Sequence, residues 1–111
     1  MEFLVRFEVS IPPDLNPADL EAIMVEERKR GDMLWSSGQL IRIWRVPGTR
    51  ASVALYDFPD VTELHAQFLA MPLFPYMRVH SVEALAVHPA EVEHRAKGAA
   101  GAGGQPAAVP A

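Results

Sequence analysis

The chain has 111 residues, 50% of them apolar and 22% charged, the balance of a single folded domain and not of a disordered segment. Its 10 Lys and Arg against 14 Asp and Glu leave a formal charge of −4, so no surplus of cations exists to neutralise a nucleic-acid backbone. The absence of cysteine excludes disulfides, thiolate metal sites and cysteine nucleophiles. No apolar run reaches membrane-span length, and the N-terminus does not read as a signal peptide. A cytoplasmic protein without nucleic-acid or membrane partners is the expectation.

The first segment, Glu2 to Ser10, alternates. Phe3, Val5, Phe7 and Val9 face one way, and Glu2, Arg6 and Glu8 the other, as in a half-buried strand. Pro12 and Pro13 end it, since proline cannot donate to a ladder. Asn16-Pro17 opens a helix with an N-cap and a first-turn proline. The helix runs to about Ser36, before Gly38. Leu20, Ile23, Met24 and Leu34 form its apolar stripe. Glu27 lies near the centre of that stripe, about 20° from Leu20 on a wheel of about 100° per residue.

Gln39 to Val46 reads as a second strand. Leu40, Arg42, Trp44 and Val46 share one face; Ile41, Ile43 and Arg45 share the other. Pro47-Gly48 makes a turn, and Ala51 to Phe58 forms a third strand. Asp60 caps a second helix to about Ala70, with Val61, Leu64, His65 and Phe68 as its inner stripe. MPLFPYM is a proline-punctuated aromatic loop, and Val79 to Val87 is a last strand.

The order βαββαβ predicts an α+β, ferredoxin-like fold: a four-stranded antiparallel sheet with two helices on one face. Both faces of the second strand carry large apolar groups, so a sheet-to-sheet dimer is expected to cover the outer one. Residues 1–94 form this domain. Residues 95–111, Ala/Gly/Pro-rich from Lys97, are expected to be a flexible tail with almost nothing to bury.

Glu27 is the strongest chemical signal. A carboxylate on an apolar stripe is expensive unless paired or protonated. Desolvation raises its pKa, which suits it to take and return protons near neutrality. A structural ion pair with Arg42 or Arg45, or a helix rotated to expose it, accounts for the same position. Arg42 and Arg45 lie on opposite strand faces, so one of them points toward apolar surface, where arginine suits a carboxylate. Trp44, Phe74 and Tyr76 are candidates to line a pocket for a planar molecule, or are ordinary core. No metal-ligand spacing, hydrolase signature or phosphate-binding loop is present.

The segment LHAQFLAMPLFPYM, residues 64–77, resembles the signature of muconolactone delta-isomerases. The resemblance extends over residues 1–92, through the proline turn at Pro12, Asn16-Pro17-Ala18, Glu26-Glu27, Gly38, Trp44-Arg45, Gly48, Asp57 and His88-Pro89. It implies a sheet-to-sheet homodimer, a dimeric α/β barrel, assembled into a larger ring such as a decamer. It implies an enzyme of aromatic-compound catabolism that needs no cofactor and no metal and moves a proton by a 1,3 shift on an unsaturated lactone. Glu27 then fits the proton carrier and Arg45 the anion partner, with Trp44, Phe74 and Tyr76 as a dry wall.

The same likeness marks departures. Met24 stands where a lysine is expected, one turn before Glu27. Thr49-Arg50-Ala51-Ser52 replaces a His-Tyr-Ala-Asn pattern, and Ile41 replaces a basic residue. Arg42 or Arg50 would restore the lost positive charge, which makes Met24, Arg42, Arg50 and Ser52 further substrate-binding candidates. Three roles follow. One is isomerisation of muconolactone itself. Another is acid–base chemistry on a different cyclic enone or lactone in a biosynthetic pathway. The last is a non-catalytic member that binds a small ligand or serves as an assembly subunit.

Overall fold

The computed structural model describes residues 1–100, and of Ala99 and Ala100 the backbone alone. Its elements are β1 (Glu2–Val9), α1 (Pro17–Ser36), β2 (Leu40–Arg45), β3 (Ala51–Asp57), α2 (Val61–Leu69), a 3-10 turn (Phe74–Tyr76), β4 (Met77–Leu85) and α3 (Pro89–Ala100). Both helix starts have the expected chemistry: Asn16 Oδ1 accepts from the Ala18 N–H at 2.8 Å, and Asp60 Oδ1 from the Glu63 N–H at 2.8 Å. Gly38, at φ 78°, turns the chain out of α1 in the left-handed region that suits glycine.

The strands pair antiparallel in the order β2-β3-β1-β4. Phe3, Val5 and Phe7 lie opposite Tyr56, Ala54 and Ser52, so the alternating side chains of β1 and β3 build one inner face. Leu34 from α1 and Leu64 and Phe68 from α2 complete the core on that face. The two helices therefore cover one side of the sheet, as the element order predicts.

The barrel expectation is corrected by the topology. A barrel requires edge strands that meet in a closing, staggered pair. Here β2 and β4 are the two edges, neither pairs with the other, and the sheet is open. Both edges carry a register shift, β2 between Leu40 and Arg42, and β4 where it passes Arg6 and Phe7. Such irregularities are commonest at sheet edges.

Four local expectations also change. The irregularity at Ile41 puts Leu40, opposite Tyr56, on the inner face with Ile43 and Arg45, instead of with Arg42 and Trp44. The inner stripe of α2 is Leu64, Gln67 and Phe68, while Val61 and His65 are exposed. Strand β4 starts at Met77, which pairs with Val9. Residues 95–100 of the expected tail continue α3, whose described side chains are exposed. Glu91–Arg95 and Glu93–Lys97 pairs at i,i+4 support it. Residues 101–111 of that tail lie outside the described residues. No helix among the described residues is long and apolar enough to cross a membrane.

Candidate active site

A cavity of about 680 Å³ opens between α1 and the inner sheet face, with Met71, Leu73 and Met77 at one end. Its walls are mostly apolar, and Glu27, Arg28, Arg30, Arg45 and Arg50 supply its charges. One carboxylate among four guanidinium groups makes the cavity a cationic place on an acidic chain.

Glu27 enters from α1 and is half-buried. The proline-rich loop after α2 doubles back through bonds from the Phe74 N–H to the Met71 carbonyl and from the Tyr76 N–H to the Leu73 carbonyl, both 2.9 Å. That fold aims the Leu73 N–H at Glu27 Oε2, 3.3 Å away. Burial raises the Glu27 pKa above the ordinary carboxylate value. The Leu73 bond and the nearby Arg30 charge oppose the shift without cancelling it.

Tyr56 lines the same cavity from β3 and is 2% exposed. Its ring is held by Phe58, with centroids 6.1 Å apart, and edge-on by Phe68 at 5.9 Å. Burial, and secondarily the Glu27 charge, push its hydroxyl up to about 12. It stays protonated across the working range and is a hydrogen-bond donor. Further along the same sheet face the β2–β3 hairpin turns at Gly48, φ 76°, and brings in Arg45, Arg50 and Ser52. Arg45 Nη1 donates to the Arg50 carbonyl at 2.8 Å, which ties it to the hairpin backbone.

Of the residues singled out from the sequence, Glu27, Arg45, Arg50, Ser52 and Met24 come together in this cavity. Trp44 and Arg42 do not. They alternate with Ile43 and Arg45 and therefore face the other side of the sheet, the Arg42 guanidinium stacked 5.0 Å from the Trp44 ring centroid. Phe74 turns toward α2 and lines a separate groove of about 410 Å³ with Val61, His65 and Val82. Tyr76 borders neither space; its carbonyl accepts the Ser10 N–H at 2.8 Å.

Sequence reasoning missed Tyr56, Arg30 and Gln67. Nothing in the sequence sets Tyr56 apart from its strand neighbours, and Arg30 stands in the charged run EERKR, residues 26–30. Its position one helical turn after Glu27 was the available signal. Nη2 of Arg30 donates to Oε1 of Gln67, across 37 positions of sequence.

A half-buried acid, a protonated phenol and a set of arginines around a small apolar cleft define a substrate-binding enzyme suited to proton transfer. The family model described as muconolactone delta-isomerase matches residues 1–91, and the chain belongs to that family. It is 34% identical over 92 residues to the muconolactone delta-isomerase of Pseudomonas aeruginosa, covering 83% of this chain and 95% of that protein. For the muconolactone delta-isomerase of Cupriavidus pinatubonensis the identity is 35% over 92 residues, with 83% and 99% covered. A crystal structure of muconolactone isomerase at 3.3 Å resolution superposes with a TM-score of 0.72 at 34% identity, covering 80% of this chain and 92% of that one. The resemblance carried by LHAQFLAMPLFPYM is thus borne out, and the chain is a muconolactone delta-isomerase-like enzyme.

Proposed function

We propose that the protein isomerises an unsaturated lactone, muconolactone itself or a close relative, by a 1,3 proton shift carried by Glu27. The observation that carries this reading is the half-buried Glu27 carboxyl, with its raised pKa, in a cationic apolar cavity.

The ionised Glu27 takes the proton from the ring carbon that bears the CH2–COO⁻ arm. The electron pair left behind spreads through the ring double bond onto the lactone carbonyl oxygen as a dienolate. Glu27 then returns the proton to the far end of the allyl system, so the double bond moves and the carboxylate is regenerated. The Tyr56 hydroxyl and the cavity arginines suit the negative charge that develops. The apolar walls keep water from the dienolate.

A second reading is favoured by the cavity's size, which exceeds one small lactone ring. In it the same carrier works on a larger cyclic enone or lactone. The homodimer and larger ring implied by the family, in a cytoplasmic setting, also belong to this proposal. Exposed Trp44 and Leu85 on the outer sheet face support self-association, which sedimentation velocity reads directly.

The test is an ultraviolet assay of muconolactone with the purified chain and with Glu27→Gln. Turnover that falls by at least about 10²-fold in the variant is the expected result. Equal turnover by the two proteins removes Glu27 from the mechanism. Absence of turnover by the unaltered chain removes muconolactone as the substrate.

A further inference from the structure

Gln67 occupies a place that an apolar residue would fill more cheaply. It lies on the inner stripe of α2 with Leu64 and Phe68, 4% exposed, and accepts from Arg30 through Oε1. Two donors of this pair, Arg30 Nε and Gln67 Nε2, are buried and find no acceptor among the described residues. A tie kept for stability alone would saturate itself, because an unmatched interior donor forfeits more than one hydrogen bond returns. Both orphaned groups are donors. These two atoms are closed to the cavity, but the Arg30 side chain borders it, no salt bridge among the described residues engages its charge, and a guanidinium favours a charged acceptor.

Arg30 borders the same cavity as Glu27 and stands one helical turn further along α1. Two of the other cavity arginines are engaged elsewhere. Arg28 is exposed and meets Glu21 at 3.7 Å, and Arg45 is bound to the hairpin backbone. In muconolactone the carbon that loses its proton carries the CH2–COO⁻ arm, so the carboxylate lies two bonds from the deprotonation site. Its receptor must then stand beside the base. Arg30 meets that condition, whereas Arg45 and Arg50 belong to a different wall.

We propose that Arg30, steadied by Gln67, receives the substrate's carboxylate and selects acid substrates over their neutral counterparts. The placement rests on Glu27 being the proton carrier. It assigns the anion-binding role to α1 instead of to Arg45.

The test is a calorimetric titration of the full chain with furan-2-acetate and with furan-2-acetamide. The first is a flat, unreactive five-membered ring with the same CH2–COO⁻ arm; the second is its neutral counterpart. The acid is expected to bind at least about ten-fold tighter than the amide. Arg30→Gln weakens the acid by a similar factor and erases the preference. Arg30→Lys keeps part of it, because the charge remains without the planar fork. Gln67→Leu gives an intermediate loss. Lys29→Gln removes one equal charge from the solvated side of α1 and leaves both affinities unchanged. Circular dichroism checks each fold, and Arg30→Lys and Gln67→Leu carry the test if Arg30→Gln does not fold. Three results overturn the proposal: no binding of the acid by the unaltered chain, equal affinity for acid and amide, or an acid preference that survives in Arg30→Gln. A chain that shows the Arg30-dependent preference and yet does not convert muconolactone refutes the reaction and leaves the carboxylate receptor standing.

Discussion

The Leu73 N–H donates to the Glu27 carboxylate from 46 positions away, at 3.3 Å. This single contact joins the two most informative stretches of the sequence, the acid on the stripe of α1 and the LFPYM loop. The loop's prolines and its two backbone bonds hold Leu73 in place. Its side chain is buried, 7% exposed, so the N–H it aims at Glu27 is not free to swing away. The contact helps to orient the carboxylate yet leaves its pKa raised, because burial outweighs it.

That balance has a signature in stability. At acid pH Glu27 is protonated in both the folded and the unfolded chain, and Glu27→Gln changes little. As pH rises past the ordinary glutamate range, the unfolded chain ionises first while burial resists ionisation in the folded one. The folded state then binds more protons than the unfolded state, so stability falls with pH. Urea denaturation across this range should show Glu27→Gln gaining stability relative to the unaltered chain as pH rises, and holding the gain above the folded pKa. A difference that is constant with pH would mean that Glu27 is solvated.

Tyr56→Phe keeps the ring that packs on Phe58 and Phe68 and removes only the hydroxyl. Its thermal stability should change by less than about 1 kcal/mol, as for a shape-conserving change. If the phenol supports the dienolate, kcat should fall by about 10²-fold with KM nearly constant. Unchanged kcat would assign Tyr56 to packing alone.

Arg30 and Gln67 should couple in a double-mutant cycle. Each single change to Leu breaks the pair and leaves its partner's buried polar atoms without it, at about 1–3 kcal/mol. Replacing both by Leu removes the mismatch, and the double variant should be at least as stable as either single one. Additive losses in denaturant would show that the two side chains do not depend on one another.

Leu64, fully buried at the start of the LH motif, tests the core beneath the site. Leu64→Ala should destabilise the fold by about 2–5 kcal/mol, measured as a lowered denaturation midpoint with an unchanged slope.

Much of this architecture was legible in the sequence because it rests on local rules. The alternation of β1, the Asn16-Pro17 cap and the place of Glu27 on its wheel all follow from residue spacing. What escaped depends on contacts between distant segments. The irregularity at Ile41 adds one residue to an edge strand and moves Leu40 to the other face, which alternation alone does not register. Gln67 looks like a surface residue until Arg30 is placed beside it. Trp44 and Arg42 fell to the outer face by the same alternation that carried Arg45 inward. The open sheet follows from where the two edges lie, and no local pattern states that.

The central claim is that Glu27 carries the proton, and its side-chain titration tests it most directly. The carboxyl carbon of Glu27 can be followed by NMR across pH and compared with the profile of kcat/KM for muconolactone. The expected result is a Glu27 midpoint above that of the unfolded chain, coincident with the ionisation that switches activity on as pH rises. A midpoint equal to the unfolded value, or an activity profile that ignores it, would contradict the account.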